Sequence, residues 1–523
     1  MDLSRRKFIQ GAAAAGAAGL GLGTAGDAAQ DEHRSPQRKK RTIYFNDARH
    51  YYLFVFEPPM HLQDAWRPVD ECAGTSVDTF VYGVARNDGL FYPSKVGMRF
   101  GEDKKPFTSA PYYRVWHNMQ SLMDRGHDPL TVLIDRAHDK SMEFFASLRM
   151  AGYGGMDPKH DSSKGGRALA VREVRDHQFR VLKELATDYD TDGVELDFAA
   201  SPGGMPLFLQ PEDVEEYTPV ITEYVRQISD MVRTRPRRPG LVGARVYPTE
   251  EICLKMGVDV RTWLSEKLVD YVVPMLYRDF NADPDMPIDG IIRLAHDHDI
   301  PCYGMVQPYS QYEATGSPTR LHLTPETLRA VAANFYSKGV DGLYTWFFKW
   351  PLGDSERSAL TEMGDPDLVK EGNKRYVKRR RRADVTALGY DADLPIEIPE
   401  ANPAKRYSIP FNIADDIAGD SDRIQRVQLR LRVQNLVSAD RLTIHLNGES
   451  LENEICLRSF GRLNDPYSAQ FVEFDLQRVR PRQGANVLEI SLDQRPELFA
   501  GGVTIENLDI YVEYGAFPPG LIT

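Results

Sequence analysis

The stretch DYDTDGVELDF, Asp188–Phe198, holds five acidic residues in eleven positions and ends in a short apolar run interrupted by Glu195 and Asp197. A strand buried on both faces does not carry two carboxylates unless something compensates for their desolvation. Strand alternation puts Glu195 and Asp197 on one side and Val194, Leu196 and Phe198 on the other. If the apolar set faces a helix layer, both carboxylates face the opposite side, and two carboxyl groups in one cavity suit hydrolysis of a glycosidic bond. That chemistry asks one acid to protonate the leaving oxygen and a second group to act as nucleophile, base or charge stabiliser. A structural role is the competing reading for Glu195, as the buried ion-pair partner of a strand-end arginine.

The elements that would position these groups recur along the chain. Short β-rich runs appear at TIYFND, DTFVYGVA, EFFASLRM, DGVELDF, LVGARVY, VDYVVPMLY, PCYGMVQP and DGLYTWFF. Helical periodicity separates most of them, as in Val171, Val174, Val181, Leu182 and Leu185 before the fourth run and Tyr224, Val225, Ile228, Met231 and Val232 before the fifth. TPETLRAVAANFYSKG carries Thr324 as N-cap, Pro325 in the first turn and Gly339 at the C-terminal cap; Thr218-Pro219 reads as an earlier helix start. This alternation predicts an α/β fold with a (β/α)8 TIM barrel over residues 41–365.

In such a barrel the working residues lie at the C-terminal ends of the strands. Reading those ends gives Asn46 and Asp47, Arg86, Arg149, then Glu195 and Asp197, Arg245 and Tyr247, then Tyr277, Arg278 and Asp279, Gln307 and finally Trp346. Asp197 and Glu195 are the expected catalytic acids, with Asp279, or Glu250 after the fifth strand, as proton donor. The others are expected to bind substrate. Tyr247, Tyr277 and Trp346 offer flat faces to a sugar ring. Arginines in excess of those neutralising Glu195 and Asp197 would suit a uronate or sulfate.

Past residue 365 the texture changes. Residues 366–395, with the charge run NKRYVKRRRRADV, read as a linker, and 396–523 as a β-sandwich of jelly-roll type. There Val427, Leu429, Leu431 and Val433 alternate, and Asn447-Gly448 marks a hairpin. At the other end, SRRKFIQ followed by an Ala/Gly-rich run reads as a twin-arginine export signal over residues 1–29, with a polar spacer at 30–40. The expected location is periplasmic or extracellular. No later segment reaches the roughly 18 apolar residues of a membrane span. A net charge of −12 excludes the basic face that a nucleic-acid partner needs. No metal or cofactor is expected: no H-E-x-x-H occurs, strand ends lack H-x-H, and no G-x-S-x-G elbow is present. The histidines of RAHDK and AHDHD read as solvent-facing helix residues.

These motifs resemble two glycosidase groups. DGVELDF, Met275–Tyr277 and Trp346 follow the strand grammar of chitinase-like family 18 glycoside hydrolases, whose fourth strand reads D-x-x-D-x-D-x-E. Asp192, Glu195 and Asp197 fall on the first three acidic places, with Glu for Asp at the second; Ala199 stands at the fourth, the family's proton donor, and Arg278 replaces the Asp that follows the tyrosine. SLRM, DGVELDF and GVDVRTWLSEKLVDYVVP are similar to exported, family-10-like glycoside-hydrolase barrels. The resemblance implies a carbohydrate-active fold; with the export signal and the paired acids, the expected function is an exported glycoside hydrolase acting on a polysaccharide or oligosaccharide, anionic if the strand-end arginines are in surplus. The missing family 18 acid implies the alternative, a non-catalytic glycan-binding protein on a degenerate barrel.

Overall fold

The computed structural model describes residues 38–47, 52–150, 168–199, 209–276, 282–314, 317–346, 348–378, 389–390, 393–460 and 469–515. Eight parallel strands form the barrel: β1 (Arg41–Asp47), β2 (Thr79–Gly83), β3 (Glu143–Arg149), β4 (Gly193–Asp197), β5 (Leu241–Val246), β6 (Tyr271–Pro274), β7 (Tyr303–Val306) and β8 (Gly342–Trp346). Continuous ladders run β6-β5-β4-β3-β2-β1-β8-β7. A bridge between Val272 and Cys302, with Val272 N donating to Pro301 O at 3.1 Å, links β6 to β7 and closes the ring.

Alternation sorts side chains into two layers. Tyr44, Phe80, Phe144, Val194, Leu196 and Val242 pack with the helices, whereas Ile43, Phe45, Val81, Phe145, Tyr271, Tyr303, Tyr344 and Trp346 fill the lumen. Lumen-facing glycines make room for the large rings. A Cβ on Gly243 would lie 2.0 Å from Tyr271 Cζ, and one on Gly193 would lie 2.5 Å from Phe145 Cε1. At the N-terminal end, Arg41 closes the lumen by donating to Glu143 at 2.8 Å and to Tyr303 OH at 2.9 Å.

An aspartate immediately precedes each even-numbered strand and accepts a backbone N–H from the odd-numbered side of the pair. Asp78 accepts from Thr42 N (3.2 Å), Asp192 from Phe144 N (2.7 Å), Asp270 from Val242 N (2.7 Å) and Asp341 from Cys302 N (2.9 Å). These amides sit where the ladder begins, and the carboxylates satisfy them. Two of the aspartates also hold a histidine: His138 Nε2 lies 2.9 Å from Asp192 and His296 Nε2 lies 2.8 Å from Asp341. His138 of RAHDK and His296 of AHDHD are therefore partly buried latch partners rather than solvent-facing residues.

Thr324 caps the helix Pro325–Lys338 through Thr327 N, and Gly339 ends it at φ +92°. The helix expected to open at Thr218 instead spans Val214–Arg233, with Pro219 in its second turn. Among the described residues no helix is long and apolar enough to cross a membrane.

The C-terminal part is antiparallel. Its strands are β9 (Lys374–Lys378), β10 (Ile396–Ile398), β11 (Tyr407–Ile413), β12 (Ile424–Gln434), β13 (Arg441–Leu446), β14 (Ile455–Phe460), β15 (Ala469–Asp475), β16 (Gly484–Gln494) and β17 (Val503–Tyr514). One sheet is ordered β9-β17-β12-β15-β14, with β10 also on β17; the other contains β11-β16-β13. Val427, Leu429, Leu431 and Val433 enter a common core with Ile409, Ile444, Leu488 and Ile490 from the second sheet. Asn447 and Gly448 turn the β13 hairpin at φ 53° and 87°, the left-handed pair that a two-residue hairpin requires. Strand β9 lies inside the stretch read from sequence as a linker, and pairs with β17. Barrel and sandwich meet where Asp285 accepts from Asn412 N at 3.1 Å and Asn334 Nδ2 donates to Asn412 O at 3.0 Å.

Candidate functional site

Register brings the charged residues together. Neighbouring strands align Gly83, Ser147, Glu195, Gly243 and Tyr271 in one row, and Arg149, Asp197, Arg245 and Val273 in the row nearer the C-terminal end. The upper row thus alternates positive, negative and positive across three adjacent strands, inside a lumen whose other side is aromatic.

Glu195 is fully buried. Ser147 Oγ donates to it at 2.8 Å, Tyr344 OH at 3.0 Å and Tyr271 OH at 3.1 Å, and Arg245 Nε lies 3.1 Å away. Burial raises the Glu195 pKa above the ordinary carboxyl value; the Arg245 charge opposes this and the Asp197 charge adds to it. The gap left by Gly243 is what admits the Tyr271 ring to this carboxylate. Glu195 is therefore tied into the barrel wall by three hydroxyls and a guanidinium, as the ion-pair reading of the sequence allows.

Asp197, also fully buried, lies 2.5 Å from Arg245 Nη2. The Arg245 guanidinium rests on aromatic faces, 4.4 Å from the Phe45 centroid and 4.9 Å from that of Trp346, a geometry in which cation–π attraction holds a desolvated cation. Arg149 reaches Asp47 at 2.7 Å, and both are buried. Arg149 and Arg245, the arginines at the C-terminal end of the lumen, thus have protein carboxylates as partners. This removes them as the surplus cations that the sequence reading wanted for an acidic substrate.

The remaining predicted residues divide. Gln307 follows β7 on its lumen face; its Nε2 donates to Leu276 O at 2.9 Å, and its buried Oε1 has no partner among the described residues. Trp346 is buried at 0% exposure and forms floor rather than an open stacking face. Asn46, one residue before the lumen-facing Asp47, shares the helix-layer face of Tyr44 and is wholly buried. Tyr247 packs with the outer core, its hydroxyl pKa pushed up chiefly by burial and less by Cys253 and Asp197. Arg86 lies over Phe100 and Tyr112, at 5.8 and 5.9 Å, away from the lumen cluster. Glu250 forms an ion pair with Arg261 at 2.5 Å in the first turn of its helix and does not enter the lumen. Tyr277, Arg278 and Asp279 lie outside the described residues.

Sequence reading missed Trp350 as a mouth aromatic. Trp350 and Tyr309 are partly exposed and pack against the lumen cluster, and Trp350 meets Phe56 edge-on at 5.8 Å. Its signal was present in FFKWP, just past the eighth strand, where loop aromatics border a barrel mouth. Ala199 takes its place in the lumen cluster at 2% exposure, so a methyl group stands where family 18 keeps its acid.

No family model matches the chain, and no curated protein matches it. Solved structures that it resembles include a cycloisomaltooligosaccharide glucanotransferase from Paenibacillus sp., at 10% identity and TM-score 0.33, covering 89% of this chain and 57% of that one. An α-L-fucosidase from Paenibacillus thiaminolyticus matches at 12% and 0.39, over 63% and 49%. The spore cortex-lytic enzyme of Bacillus cereus matches at 11% and 0.36, over 62% and 74%. The chain spans about half the length of the first two. Likeness at this level leaves the chemistry to be argued from the site.

Proposed function

We propose that the chain is an exported glycoside hydrolase acting on a polysaccharide or oligosaccharide at the C-terminal mouth of its barrel. One observation carries the reading: Asp197, buried at the lumen end, is ion-paired to an arginine that is itself fixed between aromatic faces. A carboxylate so placed serves as nucleophile or as the charge that stabilises an oxocarbenium-like transition state. Gln307 Oε1 supplies a hydrogen-bond acceptor for a sugar hydroxyl, and Trp350 and Tyr309 supply the accessible aromatic rim.

Glu195 acts through Arg245 in this reading. Its partners are structural and its environment favours the neutral form, so it positions the guanidinium that holds Asp197. The proton donor is Asp279, which the sequence puts two residues after Tyr277 at the end of the sixth strand. Export rests on the N-terminal Arg5-Arg6 motif. The test is release of new reducing ends from a panel of neutral, uronate-containing and sulfated glycans. Product from at least one class is expected, and no product from any of them would refute the proposal.

A further inference from the structure

A sheet edge exposes a row of unpaired N–H and C=O groups, and folded proteins blunt such edges with short strands, proline, lysine or a covering element. Most described edges of the sandwich are treated in this way. β9 carries Lys374, Arg375 and Lys378 and packs against the helix Pro325–Lys338. β10 is three residues long and lies between Pro395 and Pro399. β11 contains Pro410 and is held to the barrel through Asn412. The strand at the far edge of its sheet, Glu449–Ser450, is two residues long.

β14 is the exception. It is six residues long and ends its sheet, pairing with β15 alone among the described residues. Its sequence, ICLRSF, has no proline and no lysine. Its one charged residue, Arg458, donates to Val437 O at 3.2 Å and to Asp440 O at 2.9 Å, so that charge is drawn onto its own chain. The large apolar side chains are left in solvent instead: Ile455 is 61% exposed, Leu457 59% and Phe460 77%. Register with β15 sets Cys456 and Arg458 opposite the core residues Phe474 and Val472, and sets Ile455 and Leu457 opposite Asp475 and Glu473 on the outer face. Cys456 is exposed, whereas Cys72, Cys253 and Cys302 are buried.

We infer that β14 is an interface at which two copies of this chain pair, edge to edge and antiparallel, about a two-fold axis through Cys456. About half of the N–H and C=O groups of the strand point away from β15, and another extended backbone is what satisfies them. The side chains select a second copy as that backbone. A two-fold axis perpendicular to the sheet pairs residues on the same face, so Ile455 meets Leu457 of the second copy and Leu457 meets its Ile455. Two apolar cross-strand pairs then leave water together, the self-complementarity that an isologous contact requires. The same axis sets the two Cys456 side chains opposite each other, with Cβ atoms about 4.5–5.5 Å apart, close to the spacing a disulfide takes. Arg458 stays with its own carbonyls on the other face, so no charge is stripped of its partners.

Sedimentation equilibrium of the full chain under reducing conditions tests the contact. Wild type is expected to dimerise with a dissociation constant of about 10 µM or tighter. Leu457→Lys, at a position already exposed in the single chain, should raise that constant at least about tenfold with circular dichroism unchanged, and Leu457→Val should leave it within about threefold. Diamide gives a second readout, taking two electrons and two protons from a pair of thiols and leaving a disulfide. Cys456 should link two copies of the wild type, Cys456→Ser should abolish the linked species, and Leu457→Lys should slow its formation at least about tenfold. A monomer up to about 100 µM, a dimer that survives Leu457→Lys, or a dimer that diamide does not link through Cys456 overturns the inference.

Discussion

Glu195→Ala tests the buried network most severely. In the folded chain the Glu195 carboxylate accepts three hydroxyl hydrogen bonds and shares Arg245 with Asp197. Truncating a buried side chain of this size to Ala leaves a cavity that costs about 2–5 kcal/mol, while Arg245 keeps Asp197 as its carboxylate partner. Stranding hydroxyls of Ser147, Tyr271 and Tyr344 adds roughly 1 kcal/mol or more in all, once water refills part of the space. A total near 5 kcal/mol is a large share of the ~5–15 kcal/mol that stabilises a domain. With a urea m-value of about 3 kcal/mol/M, the barrel's unfolding midpoint should fall by about 1.5 M. Glu195→Gln, which keeps one acceptor, should fall less. The pH dependence gives a second check. Because burial raises the folded-state pKa of Glu195, its contribution is full below the unfolded value, about 4.5, and declines as pH rises from there toward the folded one. The stability lead of wild type over Glu195→Gln should therefore shrink as pH rises above about 4.5. A midpoint unchanged in Glu195→Ala, or a lead that grows with pH, would refute the reasoning.

Two further outcomes follow from particular contacts. Gly243→Ala places a Cβ 2.0 Å from Tyr271 Cζ and 2.3 Å from its hydroxyl, so the ring must leave and the bond to Glu195 breaks; chemical denaturation should show a loss of about 2–4 kcal/mol. Asp285, at the barrel–sandwich junction, has its carboxyl pushed up to about 6 by burial first and by Asp283, against Lys378 and Asn412. Its contribution is full below pH ~4 and lost as pH rises through about 6, so Asp285→Asn should gain on wild type across that interval by up to about 3 kcal/mol. Melting temperatures compared from pH 4 to 7.5 would show the crossover, and a pH-independent difference would exclude it.

The eight strands were legible because each is a short β-rich run between amphipathic segments, and the lumen side of β4 was legible because alternation with three apolar neighbours left Glu195 and Asp197 no other face. Partner choice was not legible. Arg149 could be placed at a mouth from its position, but only the strand register shows that it turns to Asp47 while Arg245 serves both acids of β4. Nothing in the sequence singles out Tyr271 and Tyr344; that their hydroxyls meet on Glu195 depends on contacts far apart in sequence, across 76 and 149 positions. The aspartate latches were hidden for a similar reason, since Asp78, Asp192, Asp270 and Asp341 look like turn residues until their amide partners on the adjoining strand are seen. Sequence also gave Trp346 a stacking role that its complete burial leaves to Trp350 and Tyr309.

The most direct test of the central claim is the turnover of Asp197→Asn on whichever glycan the wild type cleaves, measured alongside circular dichroism and ligand binding to establish that the variant is folded and still binds. Turnover should fall by at least about a hundredfold while binding persists. Turnover within a factor of about two of wild type would contradict it, because a carboxylate replaced by an amide supplies neither a nucleophile nor a stabilising charge.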